Sequence, residues 1–341
     1  MGDVALSEFA GDALALTDRD TASAPDRARA LASFRRDDAF FYWVTRLCAF
    51  GVLALLGGIL LTLLVGAWPA LHAFGIEFIW TQRWAPQLRP TPVLGALGPL
   101  YGTILTSFIA MLIAVPVGLG IAVFLTELCP QKLRQPIAMA IELLAGVPSI
   151  IYGMWGFFVL GPFLAETFQP AMIALFANVP VLNGLFAGPP SNLSLFNASL
   201  VLAIMVLPFI TAISRDVFNT VPPMLKESAY GLGCTTWEVV RNVVIPYCRV
   251  GVIGGVMLAL GRALGETMAV TFIIGNSFRI SSSLFAPGTT ISAAIASEFA
   301  ESSDLHQSAL ILLGLILFVL TLIVLSTARW LLARAARRAG A

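Results

Sequence analysis

Six long stretches of apolar residues constrain this chain more than any other feature of its sequence. Each is about 20 residues or longer, which is the length that a helix needs to cross the hydrocarbon layer of a membrane. Within lipid, only helices and closed barrels satisfy their backbone polar groups, and stretches without strict alternation favour helices. The sequence therefore predicts an all-α polytopic membrane protein with six transmembrane helices, at about residues 47–71, 99–125, 141–164, 196–214, 250–276 and 308–331.

The composition excludes most other classes of protein. Of the 341 residues, 58% are hydrophobic and 11% are charged, whereas a soluble domain is about 25% charged. An ordinary soluble enzyme, a disordered chain and a disulfide scaffold are therefore excluded, and the expected surroundings are membrane lipid. The net charge of +1 gives no strong attraction to nucleic acid. The 4 cysteines form no CxxC pair, so no metal site is expected.

The distribution of lysine and arginine predicts the orientation in the membrane. Most of these residues lie before the first span, after the second, between the fourth and fifth, and after the sixth. The positive-inside rule then places both termini in the cytoplasm. We expect a polar tail over residues 1–40, a transmembrane domain over residues 41–335 and a second tail over residues 336–341. The apolar residues 166–195 are interpreted as an outer loop with a short helix, because a seventh span would separate the termini.

Prolines stand inside three of the predicted spans, at Pro116, Pro148 and Pro208. Each proline removes a backbone hydrogen bond and bends its helix. Packing kinks of this kind are common in membrane helices. Hinges that let a pathway open on alternate sides are the other interpretation.

The sequence lacks the motifs of common hydrolases. It contains no G-x-x-x-x-G-K-[ST] loop, no H-E-x-x-H zinc motif and no G-x-S-x-G elbow. His72 and His306 are far apart in the sequence and are expected to be solvated near the outer interface. The chain is therefore predicted to be no enzyme and not to hydrolyse ATP itself.

The longest polar loop on the predicted cytoplasmic side covers residues 221–246. Residues 226–232 favour a short helix, which Gly233 can end in a left-handed conformation. Thr236 is expected to cap a second helix, which Pro246 would close just before the fifth span. Such a helix–turn–helix is either a surface hairpin or a docking site for a cytoplasmic partner.

This loop resembles the EAA loop of ATP-binding-cassette (ABC) importer permeases. Glu227, Ser228 and Ala229 fill the E-A-A triplet, with serine as a conservative departure, and Gly233 and Pro246 fill the glycine and proline positions. The resemblance implies a type I ABC importer permease fold, in which this loop supplies a coupling helix to a groove of a separate ATPase subunit. That subunit would use ATP and Mg, and no cofactor is expected in this chain.

Two further stretches, residues 142–162 and 260–276, resemble the phosphate-specific transport (Pst) family, and in particular its C-type subunit. The resemblance implies an importer of inorganic phosphate in the bacterial cytoplasmic (inner) membrane. The implied partners are an A-type sister permease, a dimer of ATP-binding subunits and an extracytoplasmic phosphate-binding protein. Permeases for sulfate or molybdate share the EAA loop and are the alternative. A self-sufficient channel or secondary transporter is a further alternative.

Charged residues in the spans are candidates for the substrate pathway. Arg262 and Glu266 are four residues apart, so we expect them on one face of the fifth span. Arginine can fork to phosphate oxygens, and a structural ion pair is the alternative. Glu142 is expected either to pair with Arg262 or to reach the membrane interface. In the Pst family these charged positions are regarded as functionally important, and the outer loop 277–307 would contact the binding protein.

Overall fold

The computed structural model describes residues 24–88 and 92–338, and the regular structure of these ranges is helical apart from one β-bridge between Ala85 and Val93. The predicted tails, residues 1–40 and 336–341, lie partly outside the described residues. The described helices are α1 (Ala24–Phe74), α2 (Glu77–Trp80), α3 (Leu97–Leu128), α4 (Gln131–Ala145), α5 (Ser149–Phe176), α6 (Pro180–Phe186), α7 (Leu195–Asn219), α8 (Pro223–Gly231), α9 (Thr236–Leu264), α10 (Met268–Ile274), α11 (Ile291–Glu298) and α12 (Asp304–Arg338).

Six of the described helices are long and apolar enough to cross a membrane, judged by length and composition. They belong to α1, α3, α5, α7, α9 and α12, and each overlaps one of the six predicted segments. The prediction of a six-helix, all-α membrane protein is therefore confirmed. The orientation of the termini stays a prediction from the charge distribution.

The described residues fall into two compact units, one ending at Thr62 and the other beginning at Leu63. The described part of the first unit is the N-terminal portion of α1. In the second unit, one apolar cluster joins the end of α1 to α2, α11 and α12 through Ala67, Phe78, Ile291 and Leu310, all of which are buried. This cluster fixes the end of the bundle at which the first and second spans are connected.

Helix α7 lies at the centre of the second unit. Of its most apolar stretch 61% is buried, against 28% for α3. The two helices approach closely at Gly118, where an added Cβ would meet Ile210 of α7. There Thr211 Oγ1 donates a hydrogen bond to the Gly118 carbonyl over 3.4 Å. Small residues permit such close contacts between membrane helices.

The third span begins and ends later than the sequence analysis expects. Pro148, placed there inside a span, instead precedes the first turn of α5, and its extended ψ of 137° separates α5 from the amphipathic helix α4. Helix α5 continues to Phe176. Residues 166–176, expected in the outer loop 166–195, are therefore the last part of the third span, and the interpretation was wrong for them. The rest of that stretch does contain a short helix, α6.

The fifth span is also displaced from the predicted segment. Helix α9 already begins at Thr236, and Pro246 does not close a separate helix before it. The wide π-helical turn Val240–Val244 directly precedes this proline and makes room for a residue that lacks the backbone donor. Helix α9 ends at Leu264, and the chain restarts as α10 after a break at Gly265. Glycine costs about 1 kcal/mol in a helix interior.

Candidate coupling site and translocation residues

The segment predicted to couple to an ATPase subunit, residues 221–246 and here called the coupling segment, folds as a short helix, a glycine turn and the start of α9. Gly233 adopts φ +88°, in the left-handed region. Its N–H donates to the Tyr230 carbonyl over 2.9 Å, and the Cys234 N–H donates to the Ala229 carbonyl over 3.2 Å. These bonds satisfy carbonyls that the end of α8 leaves free. The predicted helix and left-handed turn are confirmed.

The start of the second helix differs by one residue from the prediction. Thr235, and not Thr236, is the N-cap. Its N–H donates to Glu238 Oε2 over 2.8 Å, and its Oγ1 accepts from the Glu238 N–H over 3.4 Å. This is a complete capping box. The Thr-x-x-Glu spacing of residues 235–238 was the signal that could have located it.

The coupling segment exposes large apolar side chains outside the packed part of the bundle. Met224 is 76% exposed, Leu232 87% and Trp237 65%. Glu227 lies exposed beside them, whereas Ala229 is buried against residues of α7 and α9. Contiguous exposed apolar residues with a polar rim mark interaction sites. Within the EAA triplet, the first residue thus faces outward and the third holds the segment in place.

A largely buried ion pair joins the coupling segment to the second span. Lys226 Nζ lies 2.6 Å from Glu127 Oε1, in the last turn of α3. The side chains are 19% and 6% exposed, respectively. The sequence analysis missed this pair, because 99 residues separate its members along the chain. The contact links α8 to the end of α3.

Alanine at Gly233 is expected to destabilise the protein by about 1–2 kcal/mol, because a Cβ disfavours the left-handed conformation by that amount. The neighbouring Gly231→Ala is the matched control: Gly231 is helical, and an added Cβ there would meet nothing within 4 Å. Alanine at that position should be neutral or slightly stabilising. Thermal denaturation of the two purified variants measures the difference in stability. Equal denaturation midpoints would contradict the claim that a Cβ strains the left-handed turn at Gly233.

The structure does not place Arg262 and Glu266 on one face of a helix, so this expectation was wrong. Arg262 lies in the last turn of α9, and Glu266 follows the break at Gly265. The Glu266 carboxylate instead accepts a hydrogen bond from the Ala269 N–H over 3.4 Å, at the start of α10. Among the described residues, the two side chains form no ion pair with each other.

Glu142 has a different partner from the one considered in the sequence analysis. Its Oε1 lies 2.7 Å from Arg215 Nη2, which also bonds Asp216 over 2.9 Å. Glu142 belongs to α4, before the third span, and Arg215 lies near the end of α7. The pairing of Glu142 with Arg262 is therefore not observed. No group of three His, Cys, Asp or Glu that could hold a metal ion occurs in the described part of the chain.

Six apolar helices long enough to cross a membrane and an exposed helix–turn–helix between the fourth and fifth spans define the class of this protein: a polytopic transport permease. The fold is similar to a chain of the bacterial alginate ABC transporter, solved in complex with alginate pentasaccharide-bound periplasmic protein. The TM-score is 0.55 at 14% identity, with 87% of this chain and 94% of that chain covered. At this identity the similarity concerns the fold.

Sequence comparison gives the family. Residues 98–337 match the family of binding-protein-dependent transport system inner membrane components. The phosphate transport system permease protein PstC of Mesorhizobium japonicum is 62% identical over 309 residues, covering 90% of this chain and 94% of that protein. PstC of Pasteurella multocida is 52% identical over 303 residues, covering 89% and 94%. The chain therefore belongs to the binding-protein-dependent transport permeases and, within them, to the PstC family.

Proposed function

We propose that this chain is the transmembrane permease subunit of an ATP-driven phosphate importer in a bacterial cytoplasmic membrane. It forms half of the phosphate pathway, and an A-type sister permease forms the other half. Two ATP-binding subunits and an extracytoplasmic phosphate-binding protein complete the transporter. Support for the substrate comes from the relatives named as phosphate transport system permeases, which align along nearly their whole length.

The observation that carries this proposal is the position of Arg262. It lies 16 residues beyond Pro246, or about 24 Å along α9 at 1.5 Å per residue, and its side chain is exposed in the isolated chain. A charged side chain within the bilayer costs at least about 2.5–3.5 kcal/mol, and such residues almost always face protein or a water-filled cavity. A pathway enclosed together with a second permease gives Arg262 such surroundings.

The helix break next to Arg262 supports the same interpretation. Between Leu264 and Met268 the backbone leaves the helix, and non-helical backbone at membrane depth is tolerated only where it is buried in protein or lines a cavity. The guanidinium can donate two parallel hydrogen bonds to phosphate oxygens. Glu266, within the break, would contribute negative charge nearby when the site is empty.

The exposed apolar surface of the coupling segment supports docking of an ATPase subunit. Closure of the ATP-binding subunits would press on α8, which the Lys226–Glu127 pair joins to the second span. ATP binding would thereby shift the population between inward-open and outward-open states of the bundle. ATP hydrolysis belongs to the partner subunits in this scheme.

Arg262→Gln is expected to lower phosphate uptake by about 10-fold or more, since a hydrogen bond to a charged group contributes about 1.5–3 kcal/mol. Arg249→Gln is the matched control, because it removes an exposed arginine from the same helix near its coupling end. Uptake of radiolabelled phosphate is measured in a host that lacks its own copy, with assembly of each variant checked by co-purification of the partners.

Normal uptake by an assembled Arg262→Gln complex would contradict the pathway role. Excess unlabelled sulfate or molybdate tests the substrate: abolition of phosphate uptake by either anion would favour a permease for that oxyanion. Uptake by the purified chain alone in liposomes, without ATP, would favour a self-sufficient channel or secondary transporter.

A further inference from the structure

A cleft of about 510 Å³ opens at the end of the bundle opposite the coupling segment. Its walls come from the connection between the first and second spans and from the connection that follows α10. They include Gln82, Arg83, Trp84, Phe278 and Arg279. Two stretches of chain nearly 200 residues apart thus bring two arginines to one cavity. Nothing in the proposed coupling or pathway uses this cavity.

Stacked aromatic rings and a partly buried set of hydrogen bonds connect the walls of the cleft. Trp84 and Phe278 are parallel to within 1°, with their ring centroids 4.7 Å apart. The Trp84 Nε1–H donates to Glu298 Oε2 over 2.8 Å, and His306 Nε2 lies 2.9 Å from the same oxygen. His306 is therefore not the solvated residue that the sequence analysis expects. The stacking of Trp84 on Phe278 therefore connects the two walls that carry the arginines.

The two arginines give this cleft its positive charge. Arg83 and Arg279 are both exposed, and neither forms an ion pair with any carboxylate of the described residues. The carboxylate bonded to the cleft wall, Glu298, is already shared by Trp84 and His306. Two guanidinium groups offer planar arrays of donors that match the oxygens of a tetrahedral anion.

We propose that this cleft binds a small tetrahedral oxyanion, inorganic phosphate, on the outer face of the permease before it enters the pathway. The substrate assignment rests on the proposed function. The cavity is larger than one phosphate, so the anion keeps part of its water shell, and bridging waters complete its contacts. Salt screens the charge of exposed arginines. Phosphate binding is therefore weak and rapidly reversible, as an entry site requires.

Arginine footprinting on the assembled, detergent-solubilised complex tests this site. Modification of each arginine by phenylglyoxal is followed by mass spectrometry with inorganic phosphate or with chloride at equal ionic strength. We expect saturating phosphate to slow modification of Arg83 and Arg279 at least about threefold, because a guanidinium held in a charge-assisted pair is shielded. The exposed Arg46, far away in the sequence, is the internal reference and should react at the same rate in both.

The decisive variant is Arg83→Gln, because a shared ligand makes the two arginines depend on each other. In this variant, phosphate should no longer protect Arg279, whereas Arg46→Gln should leave the protection intact. Equal rates in phosphate and chloride, or protection of Arg279 that persists without Arg83, would overturn the proposal. Protection by the phosphate-free binding protein but not by phosphate would also overturn it, in favour of a docking surface.

Footprinting also separates this inference from the proposed function, because it measures binding without transport. Protection by phosphate in a complex that fails to take up phosphate would leave the anion site standing and remove the importer assignment. Normal uptake without protection would remove the anion site alone.

Discussion

Alanine at Gly102 is expected to destabilise the protein by about 3 kcal/mol or more, the largest stability effect of a single methyl group that we predict. An ideal Cβ at this position would lie 1.9 Å from the carbonyl oxygen of Thr289. The obstacle is backbone and cannot rotate away. Helix α3 would have to move from the segment before α11, and overpacking of this kind costs about 1–3 kcal/mol.

The same movement would break a buried hydrogen bond. The Ile291 N–H donates to Thr103 Oγ1 over 2.9 Å, and Thr103 is 1% exposed. A buried donor that loses its partner costs a further 1–3 kcal/mol or so. The contact joins the second span to the first turn of α11, so its loss would loosen this end of the bundle.

Gly120→Ala provides the control on the same helix. Gly120 is exposed, an added Cβ there would meet nothing within 4 Å, and alanine is the better helix former by about 1 kcal/mol. Thermal denaturation of the purified complexes should show a lower midpoint for Gly102→Ala and an unchanged or higher one for Gly120→Ala. Similar midpoints for the two variants would contradict the close contact with Thr289.

Methionine at either Glu127 or Lys226 is expected to lower the free energy of unfolding by about 2–3 kcal/mol and to weaken coupling. Removal of one member of a buried ion pair costs about 3–5 kcal/mol. Lys226 is 19% exposed, so water recovers part of that cost. The double variant, with methionine at both positions, should recover most of the stability, because no buried charge is left unpaired.

Function should respond differently from stability in this set of variants. Each single variant removes the ion pair that links α8 to α3. We therefore expect the amount of phosphate taken up per ATP hydrolysed to fall by about 10-fold, a factor that corresponds to 1.4 kcal/mol. Both quantities are measured in proteoliposomes that contain the binding protein. A double variant that is as unstable as the sum of the two single variants would rule out an interaction between Lys226 and Glu127. Wild-type coupling in the single variants would remove the proposed transmission through this pair.

Much of the coupling segment was predictable because its signals are local. A helix-favouring stretch followed by glycine predicts the end of α8, and Gly233 does adopt the left-handed conformation there. The four-residue spacing of Arg262 and Glu266 is also a local signal, yet it gave the wrong geometry. It assumes a continuous helix, and the helix ends before Glu266. Glycine at position 265 was visible in the sequence but is tolerated in many membrane helices.

The pairing of charged residues was beyond sequence reasoning. Glu142 bonds Arg215, and Lys226 bonds Glu127; the members of each pair come from different helices. Their partners depend on how α3, α4, α7 and α8 meet at one end of the bundle. The cleft with Arg83 and Arg279 likewise needs two distant connections to come together.

The sequence by itself determined that this chain is a six-helix membrane protein with a helix and a left-handed glycine turn between its fourth and fifth spans. Hydropathy suffices for the first conclusion, because only helices and closed barrels satisfy their backbone polar groups within lipid, and the apolar stretches lack the alternation of barrel strands. Only the tertiary structure decided where the third and fifth spans begin and end and which of the described charged residues pair. Those outcomes depend on side chains that are distant in sequence but separated by a few ångströms in the fold, where short-range electrostatics and packing act.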